Sequence, residues 1–193
     1  MMRRLAMILF TCLMAACSEP LHFNATDITG SGIGADFSLT DHTGKLRHLA
    51  DFRGKVVVVF FGFTHCSEAC PVTLKALADA LRLLDTEAAA RTQVLFVSLD
   101  PERDTESALA HYVTTFDPSF LGLRGEAATV EQVSKAFKAY SKKGPASGAG
   151  DYSVDHSSGS YAYDPEGKIR LYINYGETPQ RIADDLKLLL AGK

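Results

Sequence analysis

The chain has 193 residues, 46% of them apolar and 22% charged, a balance that fits one globular core and excludes a collagen, a disordered tail protein and a polytopic membrane protein. Twenty basic residues against 23 acidic ones give a net charge of −3, so no basic footprint invites nucleic acid. The first 16 residues hold Arg3 and Arg4 and no acid, and without them the net charge is −5.

Residues 1–16 read as a signal peptide. MMRR is a charged start, and Leu5 to Ala16 is an apolar run, too short for a spanning helix of roughly 20 residues. The sequence LMAAC followed by SEP resembles the lipobox of bacterial lipoproteins, which makes Cys17 the site of lipid attachment and the first mature residue. Plain cleavage without acylation is the alternative. Either cut leaves an exported, periplasmic domain in an oxidising compartment, held to the membrane in the first case by its lipid. Residues 17–34, polar and glycine-bearing, read as a tether, and residues 35–193 as the folded domain.

Within that domain, DFSLTDHTGKLRHL alternates around His42-Thr43-Gly44 and predicts a hairpin over about 36–49. Val56 to Phe61 is an unbroken β-branched and aromatic run, the pattern of a central strand buried on both faces. Leu74, Leu77, Ala78 and Leu81 recur at helical spacing, so a helix runs from near Cys66 or Cys70 to about Leu84. Val94 to Leu99 is a second buried strand, and Asp104 or Thr105 caps the next helix, which carries Leu109, Tyr112, Val113 and Phe116. Another helix spans about 127–140, followed by a loop, KKGPASGAG, that composition makes flexible. Short strands near 159–163 and 169–174 flank the turn Asp164-Pro165-Glu166-Gly167. Thr178 as N-cap with Pro179 behind it opens a last helix with Ile182, Leu186, Leu189 and Leu190 on its apolar face. The alternation argues for an α/β sandwich.

Chemistry concentrates at FGFTHCSEACPVT, where the first buried strand ends and open α/β folds place their sites. Of four cysteines, Cys12 lies in the leader and Cys17 is the lipid site, which leaves Cys66 and Cys70 for the domain. Four residues apart on a helix, their Cβ atoms would sit about 5–6 Å from one another, within reach of one metal ion or of a disulfide. A helix N-terminus would lower a thiol's pKa there and favour the thiolate. Two thiolates are too few for structural zinc, whereas soft sulfur with one imidazole suits copper. The third ligand must come from elsewhere, and His156, after the flexible loop and before a strand that could lie beside the first, is the candidate, with Asp155 as its outer partner.

The segments FGFTHCSEACPVTL, VSLDPERDT, YVTTFDPSFLGLRG and DHSSGSYAYDPEGK resemble the successive signatures of the Sco/SenC family over about residues 23–190. That resemblance implies a thioredoxin-like fold, in its peroxiredoxin-like variant, and a copper metallochaperone used in assembling cytochrome c oxidase. It implies copper ligation by Cys66, Cys70 and His156. Ser67, Glu68 and Ala69 stand where family members commonly carry Pro-Asp-Val. The implied recipient is the dinuclear copper site of oxidase subunit II, with an upstream periplasmic copper donor and a thiol reductant of the thioredoxin type as further partners.

Each assignment has a plainer competitor. The cysteines could be core thiols, although polar Thr64, His65 and Glu68 beside them argue otherwise. His22, His42, His48 and His111 read as solvated. Asp100, Glu102, Arg103 and Asp104 read as a loop and capping network. The aromatics of YAY and LYINY are most simply core. The functional rival is a thiol-disulfide oxidoreductase or peroxidase using Cys66 and Cys70, but such enzymes usually space the pair by two residues and carry a cis-proline where this chain has the His156 segment. Two thiolates and a neutral imidazole carry −2, a charge suited to holding Cu(I) or Cu(II). Release would follow from His156 swinging away on the glycine-rich loop.

Overall fold

A computed structural model describes residues 22–34, 36–145 and 152–193; Cys12, Cys17 and the leader lie outside them. The elements run β1 (Thr26–Asp27), β2 (Leu39–Asp41), β3 (Leu46–Arg47), a 3-10 turn (Leu49–Phe52), β4 (Val56–Gly62), α1 (Ala69–Arg82), α2 (Thr86–Ala90), β5 (Thr92–Ser98), α3 (Glu106–Phe116), β6 (Leu121–Arg124), α4 (Ala127–Ala136), β7 (Ser141–Lys143), β8 (Val154–His156), β9 (Ser160–Tyr163), β10 (Ile169–Ile173) and α5 (Pro179–Leu190). Eight strands form one sheet in the order β1-β10-β9-β4-β5-β6-β2-β3, while β7 and β8 pair separately.

The all-apolar run at 56–61 becomes the central strand, for the reason its composition suggests. Val56, Val58 and Phe60 enter one core, and Val57, Val59 and Phe61 the other. On the first face lie Leu74, Leu77, Ala78 and Leu81 of α1, Leu109 and Val113 of α3, and Ile182, Leu186 and Leu189 of α5. The second face is covered by Val130 and Val133 of α4, by Leu49 and Phe52, and by Phe137. β4, β5 and β6 are parallel and are joined by the crossover helices that parallel strands require. β9 returns antiparallel on the other side of β4, with Phe60 opposite Ser160. This is the thioredoxin-like α/β fold.

Helix ends follow the sequence rules. The Thr105 hydroxyl accepts from the Ala108 amide, and that of Thr178 accepts from the Arg181 amide with Pro179 in the first turn, so Thr105 and not Asp104 caps α3. The hairpin around Gly44 forms as β2–β3, with Asp41 buried beneath its turn and bonded to Thr43, Lys45 and Arg47. His42, expected in solvent, is half-buried and accepts from the Gly122 amide through Nδ1.

The stretch read as tether is built into the domain from its middle onward. Ala25 is buried and β1 pairs with β10. Asp185, a carboxylate on the inner face of α5, is 1% exposed and accepts from the amides of Asn24 and Ala25, each at 2.8 Å. Composition hid this because a polar segment that satisfies a buried carboxylate looks like any polar linker.

Candidate metal site

The site sits beyond the C-terminal ends of β4 and β5. Gly62 closes β4 and has no side chain for a packing reason, because a Cβ there would lie 2.7 Å from Cys70 Sγ and 2.7 Å from the Phe96 ring. Glycine thus lets the sulfur rest against the strand. Next, Thr64 is pinned by Asp104, whose buried carboxylate accepts from the Thr64 amide at 3.2 Å and its hydroxyl at 2.6 Å, and from the Ser98 hydroxyl at 2.6 Å. The loop between the strand and α1 is therefore fastened to the end of the neighbouring strand.

Cys66 lies in that turn, ahead of the helix, and Cys70 falls in the first turn of α1. The expectation that both cysteines share a helix face is corrected accordingly. The Cys70 amide instead donates to Cys66 Sγ at 3.3 Å, so the first sulfur caps the helix that holds the second. The expected lowering of thiol pKa is also corrected for Cys70. Burial, together with a hydrogen bond to Cys66, pushes its thiol well above the ordinary value, since a desolvated thiolate costs more than the helix terminus returns. Cys66 is half-buried, Cys70 is fully buried, and both are free thiols.

His156 ends β8. Its Nδ1 lies 2.8 Å from the Ser157 carbonyl oxygen; a carbonyl only accepts, so Nδ1 carries a proton and Nε2 is the nitrogen left to ligate. That nitrogen is 3.5 Å from Cys70 Sγ. The ring stands edge-on to Phe63 and Phe60, with centroids 5.8 and 6.3 Å away. The outer partner is therefore a backbone carbonyl and not Asp155, which is exposed. The flanks of the glycine-rich loop are tied, since β7 pairs with β8 and Ser141 lies opposite His156; residues 146–151 lie outside the described residues.

The ligand atoms of Cys66, Cys70 and His156 lie within 4.8 Å of one another. Metal–sulfur and metal–nitrogen bonds of about 2.3 and 2.0 Å at a near-tetrahedral angle put S and N about 3.5 Å apart, the separation found between Cys70 and His156. Cys66 and His156 line an open cleft of 530 Å³ with Phe63, His65, Glu68 and Tyr152, whereas Cys70 is fully buried. His65 is exposed and its Nδ1 meets the Thr64 hydroxyl.

The charge cluster after β5 does more than cap. Asp100 pairs with Arg103, and both grip Tyr152 on the approach to β8. Sequence reading missed this clasp, Gly62 and the Asp104–Thr64 tie, because each joins residues remote in the chain. The only local signal was the density of charge in DPERD.

The SCO1/SenC family model matches residues 25–191. A relative from Bos taurus, "Protein SCO2 homolog, mitochondrial", is 42% identical over 157 residues, which are 81% of this chain and 59% of that protein. The chain thus spans less than two thirds of the length of this and other mitochondrial relatives it matches. Among solved structures, copper-bound ScoI of Bradyrhizobium japonicum superposes with a TM-score of 0.75 at 37% identity, covering 81% of this chain and 99% of that one. Apo Sco1 of Thermus thermophilus gives 0.77 at 37% identity over 87% and 97%. A match across nearly the whole domain, on a fold that brings two thiols and an imidazole together, settles the kinship: the chain belongs to the SCO1/SenC family.

Proposed function

We propose that the chain is a copper metallochaperone that holds one copper ion between Cys66 Sγ, Cys70 Sγ and His156 Nε2 and passes it to the dinuclear copper site of cytochrome c oxidase subunit II. The observation that carries this reading is the convergence of three soft or borderline ligand atoms within 4.8 Å, with Nε2 the imidazole nitrogen left to ligate. Copper in the Bradyrhizobium relative supports the choice of metal. Thiolate ligation requires the Cys70 proton to leave, so loading releases protons. Two thiolates and a neutral ring leave the site at −1 with Cu(I) and neutral with Cu(II), so it can hold either state.

Burial sets an order of exchange. Cys66 and His156 border the open cleft while Cys70 is fully buried and outside its lining, so an incoming thiolate displaces the outer ligands first and Cys70 last. On this reading the chain is exported and anchored by a lipid on Cys17, receives copper from an upstream periplasmic donor, and needs a thioredoxin-type reductant, since a Cys66–Cys70 disulfide cannot bind copper. No helix among the described residues is long and apolar enough to cross a membrane.

Anaerobic copper titration of the reduced full chain, beside Cys66→Ser, Cys70→Ser and His156→Ala, tests the reading. About one ion per chain, weakened in all three variants, is the expected result. Unchanged binding in His156→Ala together with brisk insulin reduction or peroxide turnover would instead make the pair a redox centre of the thiol-disulfide oxidoreductase or peroxidase kind.

A further inference from the structure

His156 is held from behind as well as from the side. Tyr152, four residues upstream, donates its hydroxyl proton to Asp100 Oδ1 at 2.5 Å. Arg103 Nη2 donates to the Tyr152 carbonyl at 2.9 Å, and its guanidinium carbon lies 3.6 Å from the centre of the Tyr152 ring. The same guanidinium lies 5.9 Å from the ring of Phe63, which is the ring His156 stands against. Asp100 and Arg103 pair with each other with side chains 4% and 17% exposed. Lys143, on the other arm of the β7–β8 hairpin, pairs with Glu102 at 2.8 Å and lies 3.9 Å from the Tyr152 ring centre.

The loop after β5 therefore touches both arms of the hairpin that carries His156. The two sets of contacts differ in strength. Lys143 and Glu102 are exposed and contribute little. The Asp100–Arg103 pair is largely desolvated, and the Tyr152 hydroxyl bonds a charged acceptor, so this half holds. A planar guanidinium can stack on Tyr152 and bond its carbonyl at once, which an ammonium cannot do.

Resting on the copper reading above, we propose that Asp100, Arg103 and Tyr152 form a positioning clasp that keeps His156 Nε2 at ligand distance from the cysteines, so that the clasp and not the metal alone sets how firmly the third ligand is held. Copper with a nitrogen ligand is bound with the clasp shut; breaking the Tyr152–Asp100 contact frees the hairpin and leaves a two-sulfur site. The effect falls mainly on Cu(II), for which imidazole counts most, because Cu(I) is content with two thiolates.

The test measures Cu(II) and Cu(I) affinity of the full chain for Tyr152→Phe, Tyr152→Ala, Arg103→Lys, Arg103→Ala, His156→Ala and the double variant Arg103→Ala/His156→Ala. Nitrogen hyperfine structure in the Cu(II) spectrum is the second readout. Arg103→Ala and Tyr152→Ala should each weaken Cu(II) by about 10- to 100-fold, as loss of an outer partner does, with smaller losses for Tyr152→Phe and Arg103→Lys and a weakened nitrogen signature. In the His156→Ala background, Arg103→Ala should change Cu(II) affinity by less than about 2-fold, because residues that act through one ligand are not additive. Wild-type affinity and hyperfine structure in the clasp variants, with His156→Ala weakened, would overturn the clasp and leave the ligand set standing. Additive losses in the double variant would also overturn it. No weakening in His156→Ala would remove both readings.

Discussion

Replacing Gly62 with alanine adds one methyl group where β4 hands over to the cysteine turn, and the structure gives its cost. The new carbon would stand 2.7 Å from Cys70 Sγ, 2.7 Å from Phe96 Cε2 and 3.2 Å from Phe96 Cζ, whereas comfortable contacts lie at about 3.5–4.0 Å. Neither neighbour is free to yield. Both are fully buried, and Phe96 is packed on Phe60 and Tyr112 at centroid distances of 6.0 and 5.5 Å. Overpacking of this kind costs about 1–3 kcal/mol, which for a chain of this size lowers Tm by roughly 2–12 °C. If the sulfur is the group that shifts, its 3.5 Å approach to His156 lengthens and copper affinity falls on the order of tenfold. Calorimetry of the metal-free protein and an anaerobic copper titration read the two effects separately. A Tm within about 1 °C of wild type and an unaltered titration would refute the claim that glycine is needed to seat Cys70.

Three further outcomes follow from the same geometry. Burial alone would raise the Asp41 carboxyl, but hydrogen bonds from Thr43, Arg47 and Lys45 outweigh it and hold the group down at about 2; its stabilisation is complete above its unfolded value near 4 and lost as pH falls toward 2, so Asp41→Asn should cost about 2 kcal/mol at neutral pH and progressively less in acid, read by urea melts along a pH series. Asp104→Asn leaves one of the Thr64 or Ser98 donors poorly matched and should cost about 1–3 kcal/mol in the same melts. Because burial raises the Cys70 thiol, copper must displace its proton, and apparent affinity should climb by at least about tenfold per unit between about pH 6 and 8 in competition titrations, with any proton lost from Cys66 steepening the slope; a flat profile would mean that Cys70 does not bind as a thiolate.

Much of the architecture was legible because it rests on local pattern. The run at 56–61 could only be a strand buried on both faces, and Thr178-Pro179 could only open a helix. The three proposed ligands were legible by residue type, and their meeting point is the consequence of one pairing, β9 against β4. What escaped was the environment of those atoms. Whether Cys66 joins the helix depends on how Asp104 holds Thr64, forty residues away in sequence. The direction of the Cys70 pKa depends on depth, which spacing does not report. Asp155 looked like an outer partner because it is adjacent, yet adjacent residues on a strand point to opposite faces, and the backbone of Ser157 takes that place.

The fastening of Asn24 and Ala25 to Asp185 bears on how the polypeptide should be cut for study. A version beginning at residue 35, where alternation first becomes visible, would discard both amides and leave the buried Asp185 carboxyl on α5 without them, and stripping a buried polar group of its partners is strongly destabilising. A fragment that keeps these contacts starts ahead of Phe23.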